Sequence, residues 1–371
     1  MKICFVIPTL TGGGAERVAV TVLGAMDAGR YDRTLYVFSA NEGVYFDHIA
    51  PGVRVVVATH RSWFLRLWEL AAFLRSSRPD IVMPFLSYFI TAIAARLSGA
   101  QARVVFNQGT PTTGFLDDPD FAWGGALRRR IFIMLTRLFY SRADAVVVTS
   151  RGVADDLIAH YGVPSSKVRV LHNPVDLDAI ARLSAAPIDD PQIEHDSPVL
   201  AAAGRLAGVK NYPLMIAAVA DVVARRPVYL WILGDGPERA RLQALAADGG
   251  VGRFVRFLGF QQNPFRYVAK ADVFVLTSTY EGFGNVLIEA MACGTAVVAT
   301  RSAGTVEIIK DGETGILVEH DARSIADAVA DLLTSPAKRE AIVTRARAGV
   351  AQYGLPAVAA RYDRLFQELA G

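Results

Sequence analysis

The sequence contains only two cysteines, Cys4 and Cys293, so a framework of disulfide bonds is excluded and a reducing compartment is expected. It also lacks long apolar runs. The longest uncharged, apolar-rich stretch, Ile81–Ala95, contains a proline and is shorter than the ~20 residues of a spanning helix. The apolar run at the N-terminus meets Pro8 after five residues, which predicts a strand and not a secretory signal. No transmembrane segment is therefore expected.

Several patterns of catalytic and metal-binding residues are also missing. The six histidines show no metal-ligand spacing, and the sequence has no Walker A motif, no Gly-x-Ser-x-Gly and no Cys-x-x-Cys. Asp176 and Asp178 form an Asp-x-Asp pattern that can hold a nucleotide-bound metal, but helix capping explains it better. The sequence therefore predicts neither a metal nor a cofactor.

The charge distribution separates the two halves of the chain. The net charge of +3 is too small for a protein that binds nucleic acid through its overall charge. Residues 1–182, however, hold 20 Lys and Arg against 15 Asp and Glu, a net of +5, whereas the remainder holds 19 against 21, a net of −2. The first half is thus expected to meet an anionic surface.

Short β-branched runs alternate with longer helical periods, which predicts βαβ units with parallel sheets. The 371 residues, 52% of them apolar, suit two domains. A stretch rich in proline and acids, 184–198, is predicted to be the linker. We therefore predict two doubly wound α/β domains, 1–183 plus 354–371 and 184–353, with ligands bound in a cleft at the carboxyl ends of the strands.

The first candidate loop follows the first strand and reads Thr11-Gly12-Gly13-Gly14-Ala15-Glu16-Arg17. Its glycines let backbone amides approach an anion, and the helix that begins here directs its positive end to the same place. It does not match the dinucleotide pattern Gly-x-Gly-x-x-Gly. Phosphate contact is the functional interpretation, and a tight strand-to-helix turn is the alternative.

The second candidate loop, Gly204-Arg205-Leu206-Ala207-Gly208-Val209-Lys210-Asn211, follows the first strand of the second half. Arg205 offers a bidentate fork and Lys210 a point charge, so the two cations can bind both phosphates of a diphosphate. A solvated pair of loop cations is the alternative.

The third candidate loop runs from Glu281 through Phe283 and Gly284 to Glu289, with Asn285 expected to cap a helix. Its carboxylates suit sugar hydroxyls, one on a hexose and the other on a ribose. The alternative is a pair of acids that the helix dipole stabilises. Two weaker signals end other strands: the turn at Gly234, and Gly259 with Phe260, where a planar base could lie.

Two basic stretches in the first half are interleaved with apolar residues. One contains Trp63, Arg66 and Trp68, and the other begins with Arg128, Arg129 and Arg130. Basic amphipathic helices of this kind suit the plane of an anionic membrane, with ~1 kcal/mol per surface cation. Helices packed on their own sheet, with solvated arginines, are the alternative.

Taken together and in this order, these motifs resemble the retaining glycosyltransferases of family 4, which have the GT-B fold. The resemblance is carried by Gly204-Arg205-Leu206 with Lys210-Asn211, by the paired glutamates Glu281 and Glu289, and by Gly13-Gly14-Ala15-Glu16-Arg17. Asn173-Pro174-Val175-Asp176 and Gly234-Asp235-Gly236-Pro237 extend it over nearly the whole chain.

The resemblance implies an enzyme that transfers a hexose-type sugar from a nucleotide-sugar, most often a UDP-sugar, without a metal. Arg205 and Lys210 would neutralise the departing diphosphate, Glu281 would contact the donor sugar and Glu289 the ribose. The amides of Phe283, Gly284 and Asn285 would touch sugar and phosphate, and the Gly12–Gly14 loop would close over the diphosphate. Members with the Gly-Gly-Ala-Glu-Arg motif extend lipid-linked glycans, which implies a peripheral location on the cytoplasmic face of the membrane.

The sequence departs from the family pattern at one loop. Many relatives have a histidine after the strand that corresponds to Arg103–Asn107, where this chain has Asn107-Gln108-Gly109. We predict that Asn107 and Gln108, with Glu16 and Asn173, lie on the acceptor side. Two other functions stay open, a UDP-sugar 2-epimerase and a binding protein for nucleotide-sugars without activity.

Overall fold

A computed structural model of the chain describes residues 1–11, 13–39, 45–117, 125–188, 193 and 197–371. It divides into two compact units. Unit 1 is built mainly from the residues up to Pro174 and from Leu355–Gly371, and unit 2 mainly from Val175–Gly354. Each unit has its own sheet and its own core, and each is described by itself.

Unit 1 contains a seven-stranded, fully parallel sheet in the order β3-β2-β1-β4-β5-β6-β7. Its strands are β1 (Lys2–Ile7), β2 (Asp32–Val37), β3 (Arg54–Val57), β4 (Ile81–Pro84), β5 (Arg103–Gln108), β6 (Ala145–Val148) and β7 (Val168–Val170). Unit 2 contains a six-stranded parallel sheet in the order β10-β9-β8-β11-β12-β13. Its strands are β8 (Val199–Ala203), β9 (Tyr229–Leu233), β10 (Val255–Gly259), β11 (Val273–Leu276), β12 (Ala296–Thr300) and β13 (Ile316–Val318).

Helices connect these strands. They are α1 (Gly14–Ala25), α2 (Trp63–Ser77), α3 (Tyr88–Ser98), α4 (Thr112–Asp117), α5 (Ala126–Tyr140), α6 (Arg151–Tyr161), α7 (Leu177–Ser184), α8 (Tyr212–Val223), α9 (Arg239–Asp248), α10 (Phe265–Val268), α11 (Asn285–Cys293), α12 (Thr305–Ile308), α13 (Ala322–Thr334), α14 (Pro336–Gly349) and α15 (Leu355–Ala370). The prediction of two doubly wound α/β domains is confirmed.

Helices cover both faces of each sheet, which is why the strands read as continuous apolar runs. In unit 2, alternate residues of one strand belong to different cores: Leu200 packs on the α8 side and Ala201 on the α11 side. In unit 1, the last helix, α15, closes the core beneath β1, where Phe366 lies edge-on to Phe5 at 6.5 Å and contacts Tyr31.

The structure places the boundary between the units at Pro174, not at residue 183. The cause is α7, which packs on α10 and α11 and buries Ile180 in the core of unit 2. The predicted linker is described only in part; its Ile193 is buried in the same core, and residues 189–192 and 194–196 lie outside the described residues. The end of unit 2 meets its beginning, since the Val175 amide donates to the Tyr353 carbonyl at 2.9 Å.

Candidate active site

The site in unit 2 lies where its sheet reverses strand order. β8 and β11 are hydrogen-bonded neighbours, but the chain leaves β8 toward α8 and leaves β11 toward α11, on opposite faces of the sheet. Two loops therefore diverge at the carboxyl ends of these strands and leave a crevice between them, which is where open α/β sheets bind ligands. The second and third candidate loops of the sequence are these two loops.

The pair Lys210 and Glu281 joins the two loops. The Lys210 ammonium donates to Glu281 Oε1 at 2.5 Å, and the Ser278 hydroxyl donates to the same oxygen at 2.7 Å. The side chains of Lys210 and Glu281 are 20% and 13% exposed. Among the described residues Glu281 Oε2 accepts no hydrogen bond, so this oxygen of a fixed, charged carboxylate is left for another donor.

Hydroxyl residues fix the position of this pair, and sequence analysis missed them. The Thr277 hydroxyl lies 3.0 Å from the carbonyl oxygens of both Lys210 and Asn211, and the Thr279 amide donates to Val209 at 2.9 Å. Thr277 and Ser278 are buried. The signal in the sequence is the run Thr277-Ser278-Thr279 directly after an apolar strand, where side chains can bond to a neighbouring loop.

Arg205 is on the same β8 loop but is exposed. Within the ranges that the structure describes, its guanidinium makes no ion pair. The structure thus brings two of the three predicted catalytic residues, Lys210 and Glu281, into contact, and it leaves Arg205 open to solvent at the carboxyl edge of the sheet.

Glycines set the backbone of the β8 loop and the neighbouring β9 loop. Gly234 has φ +131°, and a Cβ there would lie 2.1 Å from the carbonyl oxygen of Gly204, so no side chain fits. A Cβ at Gly236 would lie 2.4 Å from the Leu206 carbonyl, and the Leu206 amide donates to Asp235 at 3.0 Å. The close approach of the two backbones requires glycine at position 234. This favours a structural role for Gly234 over the predicted contact with the donor.

The third candidate loop ends in an unusual helix start. Gly284, with φ +97°, is the N-cap of α11 and Asn285 is its first helical residue, so the prediction that Asn285 caps the helix is wrong. Left-handed backbone at the cap position favours glycine over asparagine here. Phe283 is buried against Tyr353, with ring centroids 5.5 Å apart, so this segment can offer backbone groups but not the Phe283 ring.

Glu289 lies one turn into α11 and is buried, 9% exposed. It is close enough to Cys293, one turn further, to affect its titration: burial, with the Glu289 charge adding to it, raises the pKa of the Cys293 thiol to about 12. At the end of β10 the ring of Phe260 is 67% exposed. The preceding Gly259 accepts from the Gly234 amide at 2.7 Å, so Phe260 follows directly on the glycine turn.

The glycine loop of unit 1 is closed by Glu16. Glu16 Oε2 accepts from the Gly13 amide at 2.6 Å, Oε1 accepts from the Thr9 hydroxyl at 2.5 Å, and the side chain is buried. This is a capping arrangement at the start of α1. Gly13 and Gly14 are exposed, and Gly12 lies outside the described residues. The predicted acceptor contact of Glu16 therefore competes with its role inside the loop.

Asn107 and Gln108 are also engaged inside unit 1. The Asn107 side-chain nitrogen donates to the Tyr362 hydroxyl at 3.3 Å, the main-chain carbonyl of Asn107 accepts from the Tyr88 hydroxyl at 2.6 Å, and Gln108 Oε1 accepts from Tyr140 at 2.7 Å. Both residues are buried. Tyrosines from three helices thus cover the end of β5, and neither side chain is free for an acceptor in this conformation.

Two further residues complete the description of unit 1. Asn173 is half-buried, directly before the unit boundary. Leu86, which no sequence pattern singled out, follows β4 with φ +60° and is 58% exposed. An exposed leucine in left-handed backbone is strained by ~1–2 kcal/mol. Since the sheet of unit 1 reverses its strand order between β1 and β4, Leu86 lies at that unit's own crevice.

The predicted membrane residues lie on two helices. Trp63 and Trp68 are 70% and 50% exposed on α2, and Arg66 donates from Nε to the His60 carbonyl at 2.8 Å. Arg128, Arg129 and Arg130 are exposed on α5. No helix of the described part of the chain is long and apolar enough to cross a membrane.

The described ranges hold no group of three or more His, Cys, Asp or Glu side chains that could hold a metal ion. Asp176 accepts from the Ala179 amide at 2.9 Å as the N-cap of α7, which agrees with the capping interpretation of the Asp-x-Asp pattern.

Family models match both halves of the chain. The model described as Glycosyltransferase Family 4 matches residues 12–179, and the model described as Glycosyl transferases group 1 matches residues 186–349. Together they cover most of unit 1 and most of unit 2.

Several curated relatives and solved structures are similar to the chain. The N-acetylgalactosamine-N,N'-diacetylbacillosaminyl-diphospho-undecaprenol 4-alpha-N-acetylgalactosaminyltransferase of Campylobacter jejuni is 30% identical over 86% of this chain and 86% of its own length. The lipopolysaccharide core biosynthesis glycosyltransferase LpsE of Rhizobium meliloti is 36% identical over 62% of this chain and 66% of its own. HepE of Anabaena, solved with UDP, superposes with a TM-score of 0.81 at 21% identity, covering 99% of this chain and 100% of HepE.

Proposed function

Because this chain belongs to the family 4 glycosyltransferases and has their GT-B fold, we propose that it is a retaining, metal-independent enzyme with a UDP-sugar as donor. The acceptor in this proposal is a lipid-linked glycan, and the sugar transferred is a hexose. The observation that carries the proposal is the partly buried pair of Lys210 and Glu281 at the crevice between β8 and β11. The chain is assigned here to the subgroup with the Gly-Gly-Ala-Glu-Arg motif.

In this proposal Lys210 and Arg205 stabilise the leaving diphosphate. When the bond from the sugar C1 to the β-phosphate oxygen breaks, negative charge accumulates on the diphosphate. Lys210, which Glu281 holds in place, supplies a fixed positive charge at this edge of the sheet. The exposed Arg205 supplies a mobile one. A preorganised donor of this kind is worth ~3–4 kcal/mol in the transition state. This is the charge stabilisation that a divalent ion supplies in other transferases.

In this proposal the carboxylates of Glu281 and Glu289 accept hydrogen bonds from hydroxyl groups of the donor. Glu281 Oε2, which is left without a hydrogen bond among the described residues, accepts from a hydroxyl of the donor sugar, and Glu289 accepts from the ribose. The backbone amides at the start of α11, around Gly284, face the anionic part of the donor. On binding, Lys210 shares its charge between Glu281 and the diphosphate.

Retention needs no covalent nucleophile in this proposal. The acceptor hydroxyl attacks C1 from the face that the diphosphate leaves, a new bond forms between C1 and the acceptor oxygen, and the hydroxyl proton passes to the departing phosphate oxygen. The protein then contributes position and charge instead of a covalent intermediate.

The substrates for which relatives are named support this proposal. The Campylobacter relative is named for a diphospho-undecaprenol substrate and the Rhizobium relative for lipopolysaccharide core biosynthesis, and HepE has been solved with UDP and with UDP-glucose. A lipid-linked acceptor also places the enzyme at the membrane surface, on the cytoplasmic face, as a peripheral protein.

The experiment is a thermal-shift panel of nucleotide-sugars on the whole chain, followed by turnover with the best binder. A donor at 100 times its Kd stabilises the folded protein by about 2.7 kcal/mol, a rise in Tm of ~2–4 °C for a unit of this size. We expect a UDP-sugar to give the largest shift. The absence of any nucleotide shift contradicts the donor assignment, and a shift without transfer to a lipid-linked glycan indicates a binding protein.

Two further readouts separate the finer parts of the proposal. EDTA is expected to leave the transfer rate unchanged, and a strict requirement for a divalent ion contradicts the charge-stabilising role of Arg205 and Lys210. The anomeric configuration of the product, read by NMR from the coupling constant at C1, should equal that of the donor. Inversion rules out attack from the leaving-group face, and release of an epimerised sugar supports the epimerase alternative.

A further inference from the structure

Exposed apolar side chains are concentrated on three neighbouring helices of unit 1. Sixteen large apolar residues are exposed among those that the structure describes, and ten of them lie on α2, α3 and α5. On α2 they are Trp63, Phe64, Leu65 and Trp68, 70%, 52%, 45% and 50% exposed. A concentration of exposed apolar side chains on a folded protein marks a surface that contacts an apolar partner.

The three helices form a continuous surface. α2 packs on α3, and α3 packs on α5. α3 adds the exposed residues Ile93 and Leu97, while α5 adds a stripe in which Leu127, Ile131, Met134 and Leu138 follow each other at spacings of four, three and four residues. These spacings place the stripe along one side of the helix. The sequence drew attention to the arginines of α5, and the structure adds this apolar stripe and the middle helix.

The aromatic side chains of α2 contact one another outside the core. Trp63 and Phe64 lie edge to face with ring centroids 6.1 Å apart, and Phe64 and Trp68 with centroids 6.3 Å apart. Four exposed apolar residues, three of them aromatic, thus lie within the first six positions of α2, and their exposure to water is unfavourable. Trp in particular is enriched at the boundary between membrane and water.

The segment that carries this surface has a net positive charge. Residues 61–142 contain eleven arginines and no lysine, against five acids. Two of those acids are bound within the protein: Glu69 accepts from the Thr59 amide at 2.8 Å, and Asp80 accepts from the Lys2 amide at 2.7 Å. Exposed arginines therefore surround an apolar surface, which is complementary to anionic headgroups above acyl chains.

We infer that α2, α3 and α5 together form a face that docks on an anionic lipid monolayer, with the Trp63–Phe64–Trp68 cluster inserted below the phosphates. This rests on the proposed function only in so far as a lipid-linked acceptor requires the membrane. A second copy of the chain is the other occupant to consider, but a symmetric pair through this face sets one arginine-rich segment against the same segment. Charge complementarity thus favours the lipid.

The test is cosedimentation of the full chain with vesicles of phosphatidylcholine containing 30 mol% phosphatidylglycerol, at ~50 mM salt. Trp63→Ala with Trp68→Ala is expected to reduce binding at least ~10-fold. Arg128→Gln with Arg130→Gln is expected to reduce it about fivefold per arginine at low salt, and less at high salt. Matched controls remove exposed groups elsewhere: Leu245→Ala with Val306→Ala, and Arg323→Gln with Arg364→Gln.

A second readout locates the contact. Brominated lipids should quench the tryptophan fluorescence of the unsubstituted chain, and this quenching should be reduced in the Trp63→Ala, Trp68→Ala protein. The buried Trp231 and Trp123, which lies outside the described residues, remain in that protein. Binding equal to that of the controls overturns the inference. Loss of a dimer in light scattering on the same substitutions, with no vesicle binding, assigns the face to a second copy and also overturns it.

The donor thermal shift makes failure of this inference distinguishable from failure of the proposed function. The tryptophan and arginine variants should keep the full shift with the UDP-sugar, because their changes lie in unit 1 whereas the β8–β11 crevice is part of unit 2. A chain that binds donor but not vesicles contradicts the docking face alone. A chain that binds vesicles but no donor contradicts the proposed function alone.

Discussion

The two units share a topology but differ in what they place at the carboxyl ends of their strands. In unit 2 the crevice between β8 and β11 holds a partly buried ion pair with one carboxylate oxygen left open among the described residues, and the same β8 loop carries an exposed arginine. In unit 1 the corresponding polar groups of Glu16, Asn107 and Gln108 are bonded to their own loop or to tyrosines. The edge of unit 2 thus presents charged groups at its crevice, and the edge of unit 1 uses its polar groups to hold the fold.

The outer surfaces of the two units also differ, and here unit 1 has the larger number of exposed apolar residues. Of the sixteen exposed large apolar residues in the described part of the chain, thirteen belong to unit 1 and three to unit 2. Unit 1 therefore offers a broad apolar and cationic face, while unit 2 offers a narrow charged crevice. The two units thus share one doubly wound architecture but differ in where their distinctive residues lie. In unit 2 these residues are on the loops, and in unit 1 they are on the outer sides of the helices.

Replacement of Lys210 should give the largest effect. We expect Lys210→Ala to lower the rate of transfer by 10²–10³-fold, because the leaving diphosphate loses a fixed cation. Lys270→Ala, which removes an exposed lysine of the same unit, is the control and should leave the rate unchanged. Initial rates at saturating donor, with Tm as a check on folding, measure both. Near-normal turnover in Lys210→Ala removes the basis for treating the β8–β11 crevice as the reactive edge.

Replacement of Gln108 should produce the contrasting result in unit 1. Gln108→Ala leaves the buried hydroxyl of Tyr140 without its acceptor, a loss of ~1–3 kcal/mol in the free energy of unfolding. Denaturant unfolding measures this loss, and the donor KM should stay unchanged. If instead the KM for the acceptor rises while stability is kept, Gln108 contacts the acceptor, and the two edges are more alike than their hydrogen bonds indicate.

Replacement of Ser278 should give a smaller effect on catalysis. Ser278→Ala removes one of the two hydrogen bonds to Glu281 Oε1 but keeps the charge, so we expect a loss of ~10-fold in kcat/KM. Ser278→Thr keeps the hydroxyl and should recover part of the rate. A purely structural role predicts a lower Tm with an unchanged KM for the donor, and this outcome would contradict the positioning of Glu281 by Ser278.

Replacement of Asp363 should give the smallest effect and should be confined to unit 1. The Tyr31 hydroxyl, against the opposing effect of burial, and the Arg30 guanidinium hold the pKa of Asp363 below its usual value. Its stabilising contribution is therefore present above the unfolded pKa of about 3.9 and is lost as the pH falls through the lower folded pKa. Asp363→Asn should reduce stability by ~1 kcal/mol at pH 7, and the difference should shrink below pH ~4.

The two cysteines report which unit is affected. Burial raises the pKa of both thiols to about 12, so each reacts slowly with iodoacetamide until its unit opens. Asp363→Asn should accelerate alkylation of Cys4 in unit 1 and leave Cys293 in unit 2 unchanged, measured by peptide mass spectrometry. Equal acceleration at both cysteines contradicts independent opening of the units.

The strands could be predicted well because they are buried on both faces. Runs such as Val199–Ala203 and Ile81–Pro84 are apolar throughout and end at glycine, proline or polar residues, so their bounds agree with the structure. The short helices α4, α10 and α12 were not predicted, since four to six residues show no helical period. The helical pattern of α7 likewise carries no information about which sheet it packs on.

The candidate site could be predicted in part. Lys210 and Glu281 follow strands whose carboxyl ends lie on one edge, so their proximity follows from the fold class, although their ion pair does not. The burial of Asn107 could not be predicted, because its partner Tyr362 is 255 residues away in α15. Leu86 carries no signal at all, since left-handed backbone at a leucine is set by the surrounding chain.

The return of α15 to unit 1 determines the order in which the polypeptide can mature during translation. Residues 1–174 lack Tyr362 and Phe366, so the pocket beneath β1 that these rings fill stays open until α15 has been synthesised. Most of unit 2 is one continuous segment, Val175–Gly354, and this segment precedes α15 in the chain. Unit 1 therefore cannot be completed before the whole of unit 2 has been translated, although most of its residues leave the ribosome first.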